Sequence, residues 1–369
     1  MSQVLVIGGA GFIGSFIVDK LIAQGHSVRI FDNFESQVHQ GTTPPYLNSQ
    51  AELVSGDVRD EHALFRALQD IDVVFHQGAM VGVGQSMYQI KRYMDVNTVG
   101  TANLLDILVN KKHNVRKLIV AASMSSYGEG LYLCNQCGQI EPPLRTEEQM
   151  KSGHWEVRCP SCREDLKPIP TPETKRQDAN SIYALSKMDQ EIMCMLVGKA
   201  YGIPSVALRY FNVFGPRQSL SNPYTGVAAI FMCRIKNDNQ PVIYEDGLQT
   251  RDFVSVHDIV QANMLAMEKT NADYQSFNVG SGNPISIKQV AEKLAAFYGK
   301  DIKPQITHQF RKGDVRNCFA DITKIKKLGY KPSISFEEGI KELAHWSHGQ
   351  HATDSFELAS KELKERKLA

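Results

Sequence analysis

The chain has 369 residues, 42% hydrophobic and 22% charged, with a formal net charge of +1. That length supports a large core and a second lobe, and the near-neutral balance argues against a broad basic field for nucleic acid and against an acidic disordered tail. The longest apolar runs, such as Val4–Ile7 and Leu118–Ala122, fall far short of the roughly 20 residues that cross a bilayer. The chain opens Met-Ser-Gln and enters a strand pattern, so no secretory signal is read and the cytoplasm is the expected compartment. Seven cysteines in this length are too few for a disulfide scaffold. Four of them cluster by spacing, which points to a metal.

In chain order, β-branched runs at Val4–Gly8, Ser27–Asp32, Leu53–Asp57, Val73–Gly78 and Lys117–Ser123 predict strands. Helical patterns lie among them at Phe12–Ala23, Glu61–Leu68 and Tyr93–Val109. This alternation predicts an α/β fold, a doubly wound parallel sheet of the Rossmann type covered on both faces. Residues 128–182 break the rhythm with Cys, Pro, Gly and Glu. Helix resumes at Tyr183–Tyr201 and a strand follows at Ser205–Phe211. Beyond Gly215 the pattern mixes: helix at Tyr224–Ile235, strands at Pro241–Tyr244 and Phe253–Val256, helices at Ile259–Met267, Ile287–Phe297 and Phe336–Ser347. The expected division is a dinucleotide domain over 1–128 and 179–215, with 251–270 packing on it. An insert covers 129–178, a smaller α/β substrate lobe covers 216–349, and a C-terminal helix occupies 350–369. That last helix, Ser355–Lys367, reads as an amphipathic surface helix.

The first strand runs straight into Gly8-Gly9-Ala10-Gly11-Phe12-Ile13-Gly14. Glycine suits a sharp turn, a close approach to pyrophosphate, and tight packing of helix on strand. The helix opening near Phe12 offers free amides and the positive end of its dipole to phosphate. Gly8, Gly11, Phe12, Ile13 and Gly14 are therefore candidate cofactor contacts. Asp32 ends the second strand, with Asn33 behind it. A carboxylate there accepts from both ribose hydroxyls of NAD and repels a 2′-phosphate. Asp57-Val58 follows the third strand, at the expected adenine; a helix-entry aspartate is the plain alternative for Asp57, but Asp60 is better placed for that role. Gln77, Gly78 and Ala79 end the fourth, beside the expected pyrophosphate and ribose; His76 reads as a core histidine.

Tyr183-Ala-Leu-Ser-Lys187 begins a helical pattern, so phenol and ammonium share one helix face. An ammonium near a phenol favours the phenolate and lowers its pKa towards neutrality. A base so poised takes a hydroxyl proton as hydride leaves the same carbon. Taken alone, such a pair is common on surfaces. It gains meaning from following a dinucleotide fingerprint in the same chain.

On these motifs the chain resembles the NAD-dependent epimerase/dehydratase family of extended short-chain dehydrogenases/reductases, over 2–128 and 179–346. Further matching segments are Val96–Thr101, Ser123–Gly128, Arg209–Pro216, Arg251–Val254 and Phe277–Gly280. The resemblance implies Ser123 as the hydroxyl partner of Tyr183, and Lys187 on the nicotinamide ribose. It adds Asn97 and Tyr210 to the cofactor set. It places Ser125, Asn212, Arg251, Arg311 and Asp314 on a nucleotide-diphosphate sugar, with the arginines on its phosphates, where a guanidinium fork fits. Surface ion pairs are the plain alternative for Arg311 and Asp314. It also implies a homodimer through the helices Asn97–Val109 and Tyr183–Tyr201.

Family dehydratases carry an acidic pair after the serine position, and decarboxylases a glutamate nearby. Here Ser123-Met-Ser-Ser-Tyr127 has no carboxylate. That favours an enzyme that moves only a hydride and a hydroxyl proton: a 4-epimerase working through a 4-keto sugar. Val81–Ser86, Ser221–Phe231 and the cysteine insert resemble the dTDP-L-rhamnose 4-epimerase-like members; UDP-glucose or UDP-hexosamine epimerisation is the alternative. A cofactor-releasing reductase, or a binding-only NAD scaffold, fits less well beside Asp32 and the intact Ser123, Tyr183 and Lys187.

Cys134-Asn-Gln-Cys137 and Cys159-Pro-Ser-Cys162 form two CxxC knuckles. Two such turns complete a tetrahedron of thiolates around a structural zinc, with no position left open for catalysis. The insert hangs between Tyr127-Gly128 and Tyr183, so a lid, a dimer contact or loop bracing are its candidate roles. Its mixed charges imply no nucleic-acid surface.

Overall fold

The computed structural model describes residues 1–368. Strand Gln3–Ile7 buries Val4 and Val6 on one face and Leu5 and Ile7 on the other. A strand covered on both faces reads as a continuous apolar run. The same holds for Lys117–Ser123 and Ser205–Tyr210, buried throughout. Seven parallel strands form the main sheet. From one edge they run Gln275–Val279, Ser205–Tyr210, Lys117–Ser123, Val73–His76, Gln3–Ile7, Ser27–Asp32 and Glu52–Ser55. Strand order reverses beside Gln3–Ile7, and such a switch point opens a crevice at the strands' carboxyl ends. Helices Phe12–Ala23 and Val256–Glu268 close one face; Glu61–Ala67, Gly100–Asn110 and Ile182–Tyr201 close the other.

A second, four-stranded sheet joins Thr250–Ser255 to Asn212–Phe214, Pro284–Ser286 and Asn317–Cys318. It belongs with a lobe whose core draws on helices Val227–Lys236, Ile287–Phe297 and Phe336–His348. Both predicted sides of the 216–349 boundary need correction. Gln275–Val279, assigned to the lobe, is an edge strand of the main sheet. Thr250–Ser255, assigned to the main domain, is the spine of the lobe sheet; only the helix after it packs back. The cause is the Ser255 cap: its side chain accepts from the His257 amide and turns the chain from one layer into the other.

The helix predicted at Tyr93–Val109 is locally unwound. Ile90–Tyr93 leads into a π-helical stretch, Met94–Val99, before Gly100–Asn110. Such wide turns favour functional positions, and this one carries Asn97. The insert, irregular by pattern, contains a three-stranded antiparallel sheet of Gly138–Ile140, Leu131–Cys134 and Lys167–Ile169. The C-terminal helix, Phe356–Glu365, is more than a solvated surface helix. Ala359 and Leu363 are buried, and Glu362 accepts from Tyr88 (2.6 Å) and Tyr224 (2.7 Å). Residue 369 of the predicted terminal segment lies outside the described residues. Among those described, no helix is long and apolar enough to cross a membrane.

Candidate active site

The glycine loop sits where the sheet order reverses. Gly8 has φ +75°, and a Cβ there would stand 2.7 Å from the Gly78 amide nitrogen; a Cβ on Gly14 would stand 2.1 Å from the Gly8 carbonyl oxygen. Only glycine lets strand, loop and helix approach this closely. Gly11 is the N-cap of Phe12–Ala23, with no side chain capping it, so the first amides of that helix stay available to an anion. Asp32 is buried and anchors the loop: its two oxygens accept from Ala10 N (3.0 Å) and Phe34 N (2.9 Å). A carboxylate has about four acceptor sites, so capacity remains for ribose hydroxyls.

Asp57 is more committed than its sequence position suggests. Arg59 holds it through two side-chain bonds, Asn33 donates to it at 2.9 Å, and its pKa is pulled down to about 2, chiefly by Arg59. Val58 is buried against Gly100. Gln77 and Tyr210 meet at 3.2 Å and share Asn263, which lies 3.1 Å from the Tyr210 hydroxyl. Asn263 sits on Val256–Glu268, and no motif marks it. Asn97 accepts from Met80 N (2.7 Å) and donates to Met80 O and Ser186 Oγ. It therefore braces the turn after Gly78-Ala79.

Ser181 caps Ile182–Tyr201 by accepting from Ala184 N. That cap fixes Tyr183 in the first turn and Lys187 one turn on. The Tyr183 amide donates to Ser86 Oγ at 3.0 Å, and Tyr93 meets the Tyr183 ring edge to face. Ser123 Oγ, at the end of its strand, accepts from Ser125 Oγ (2.8 Å) and from Ser125 N. Burial pushes the Tyr183 phenol up, while its side-chain hydrogen bond with Ser123 pulls it down. The expected lowering by Lys187 is not what the geometry gives. Lys187 Nζ turns to Gln190 Oε1 at 2.7 Å, and burial drops its own pKa to about 7. Desolvation drives each member of the pair towards its neutral form.

Gln190 is a residue the motifs missed. It is fully buried and donates to Thr101 Oγ1 (2.9 Å) and towards His76 Nε2 (3.2 Å). Burial holds His76 down to about 3, so it stays neutral. Thr101 in turn donates to Asn97 O at 2.6 Å. A neutral polar relay thus fixes the ammonium from behind. Its one sequence signal is a glutamine three residues past the lysine, on the same helix face.

Asn212 Oδ1 is buried and has no hydrogen-bond partner among the described residues, a state that costs free energy unless a ligand fills it. Arg251 donates to Val315 O (2.7 Å) and Arg316 O (3.0 Å). Arg311 pairs with Asp314 at 2.9 Å and stacks over Tyr244. These groups share one lobe. In the insert, the four cysteine sulfurs all lie within 4.8 Å of one another, with Cys134 and Cys162 at 3.4 Å. A tetrahedron with 2.3 Å zinc–sulfur bonds has sulfurs about 3.8 Å apart. The amides of Cys162 and Ser161 favour the Cys159 thiolate, bringing it down to about 6.

Residues 4–155 match the NAD dependent epimerase/dehydratase family, and residues 165–343 match GDP-mannose 4,6 dehydratase. A curated dTDP-L-rhamnose 4-epimerase of Burkholderia thailandensis is 35% identical over 93% of this chain and 94% of its own length. The chain belongs to the NAD-dependent epimerase/dehydratase family. Two solved family structures share the fold. A UDP-glucose 4-epimerase of Thermotoga maritima, crystallised with UDP-glucose, has TM-score 0.76 and 32% identity, covering 94% of this chain and 98% of that one. One of Thermus thermophilus, in complex with NAD, has TM-score 0.75 and 28% identity, covering 95% and 100%. This family member is an enzyme of the NAD-dependent nucleotide-sugar 4-epimerase kind.

Proposed function

We propose that the protein interconverts dTDP-L-rhamnose and dTDP-6-deoxy-L-talose by inverting C4 of the sugar. The observation that carries the reaction type is the neutral wall around Tyr183. Residues 123–127 offer hydroxyls and a thioether but no carboxylate, so nothing in that segment supplies the acid and base of an elimination. The relative from Burkholderia thailandensis supports the sugar.

Tyr183 must first lose its phenol proton, which burial opposes and the hydrogen bond with Ser123 favours; as phenolate it takes the proton of the C4 hydroxyl, with Ser123 holding the same oxygen. NAD, when bound, supplies a hydride acceptor and then the donor that returns hydride to the opposite face of the 4-keto sugar. Tyr183 gives the proton back, so no net redox change remains. Gly8, Gly11 and the first amides after Phe12 hold the pyrophosphate, and Asp32 the adenosine ribose. Lys187, fixed by Gln190, holds the nicotinamide ribose. Asn212, Arg251 and Arg311 receive the nucleotide diphosphate, and the orphaned Asn212 oxygen favours a donor-bearing ligand. The two cysteine knuckles hold a structural zinc.

A homodimer fits as well, because Val99, Leu185, Ile192 and Leu196 leave an apolar stripe exposed on the helices expected to pair. A second reading, UDP-glucose 4-epimerase, is favoured by the likeness to the Thermotoga maritima enzyme. The test is to incubate the purified protein separately with dTDP-L-rhamnose, UDP-glucose and UDP-N-acetylglucosamine, and to read the sugar proton couplings by NMR. A new coupling pattern at C4 in the first sample alone supports the proposal. Conversion only of a UDP-sugar transfers it to the second reading, and net formation of reduced cofactor replaces epimerisation with a dehydrogenase.

A further inference from the structure

The insert does more than close a loop. Along its length it is clasped to residues 312–321, the stretch that continues from Arg311. Gly130 N donates to Asn317 O at 2.9 Å, Thr171 N to Phe319 O at 2.8 Å, and Asp321 N to Thr171 O at 3.0 Å. Around these backbone bonds lies a buried charge cluster. Arg145, from the insert, forks onto Glu245 at 2.8 and 2.9 Å and donates to Asp314 O at 3.1 Å. Arg316 pairs with insert residue Glu156 at 2.5 Å and with Asp246 at 2.6 Å. Insert residue Glu129 accepts from the Arg316 amide at 2.7 Å. The side chains of Arg145 and Arg316 are each only 1% exposed.

Burying guanidinium groups is costly unless each is matched by carboxylates and carbonyls in good geometry. Here the partners come from both bodies at once. Arg251 donates to the carbonyls of Val315 and Arg316, and Arg311 is tied to Asp314. The backbone that carries the partners of both arginines proposed for the diphosphate is therefore the backbone that the insert grips.

We propose that Arg145 is a positioning residue for substrate binding, and that the cysteine insert is a brace setting the Arg251 and Arg311 guanidiniums for the diphosphate. This rests on the reading that those two arginines receive the nucleotide diphosphate. A binding group held a fraction of an ångström out of place loses affinity with no contact of its own removed.

The test uses full-length protein, with dTDP and UDP as calorimetric probes and the substrate identified by the NMR assay for kinetics. Arg145→Met is expected to weaken diphosphate binding about tenfold and to raise KM by a similar factor. Its kcat should stay within about twofold and its NAD content unchanged, and Arg145→Lys should recover part of the loss. Should Arg145→Met fail to fold, Glu156→Gln serves instead. Glu156 is partly exposed, so the change spares the core, and a twofold to fivefold weakening is expected. Wild-type affinity in either folded variant, while Arg311→Ala binds weakly, overturns the brace and leaves the anion site standing. Wild-type affinity in Arg311→Ala overturns the anion site and the brace with it. A fall in kcat at constant KM also overturns the brace, since it would put Arg145 on the chemistry.

Discussion

Lys187 is held at a thermodynamic cost. Its pKa falls from 10.5 to about 7 through burial, which amounts to about 5 kcal/mol. Between pH 7 and 10.5 the unfolded chain binds the proton that the fold refuses, so stability rises with pH across that window; below about 7 the penalty stands in full. Lys187→Met is therefore expected to raise Tm of the cofactor-free protein at pH 7 while abolishing turnover. The gain outweighs the about 1–3 kcal/mol for leaving Gln190 unpaired. Thermal denaturation at pH 7 and pH 10 checks both sign and window, and a variant less stable at pH 7 contradicts it. Tyr183→Phe keeps fold and bound NAD but is expected to lose at least about 100-fold in kcat, measured by the NMR assay. Tyr183 and Lys187 were legible because a four-residue spacing encodes a shared helix face. Gln190 was not, because a buried glutamine acquires meaning only when other elements deliver Thr101 and His76 to it. The hydrogen bond of Lys187 Nζ to Gln190 was hidden for the same reason.

Among the elements, the nucleotide-facing half was the most legible, since apolar runs, glycine spacing and helix period agree there. Gly14→Ala is expected to leave little folded protein, because its Cβ would fall 2.1 Å from the Gly8 carbonyl oxygen; expression and circular dichroism test this. The insert was legible only through its cysteines. Strands of three or four residues show too little period to recognise, and the Arg145–Arg316 cluster pairs residues distant in sequence. With zinc in the knuckles, metal analysis should return one ion per chain. Cobalt substitution should give thiolate-to-metal charge-transfer absorption, and Cys159→Ser should lose both. Gln275–Val279 escaped notice as a strand because Gln-Ser-Phe-Asn-Val has no sustained apolar alternation, two half-buried polar residues being followed by three buried ones.

For the whole molecule, the exposed stripe around Leu196, itself 63% exposed, predicts the assembly. Light scattering should return a dimer mass, and Leu196→Lys should halve it. A monomeric wild-type chain would leave that stripe unexplained. The two lobes were legible in outline, but their seam was not, because Thr250–Ser255 and the helix after it belong to different layers.

The insert also separates Ser123 from Tyr183 along the chain, although the two hydroxyls must meet. Adding the insert of about fifty residues to a connection of about nine costs only about 2 kcal/mol in closure entropy, so the finished protein tolerates it easily. During folding the balance differs. An ion gathering Cys134, Cys137, Cys159 and Cys162 shortens the effective tether, letting the ribbon form before the flanking strand and helix find each other. Metal supply at synthesis would then govern how fast competent catalyst matures, although four thiolates would leave such an ion no open position for chemistry.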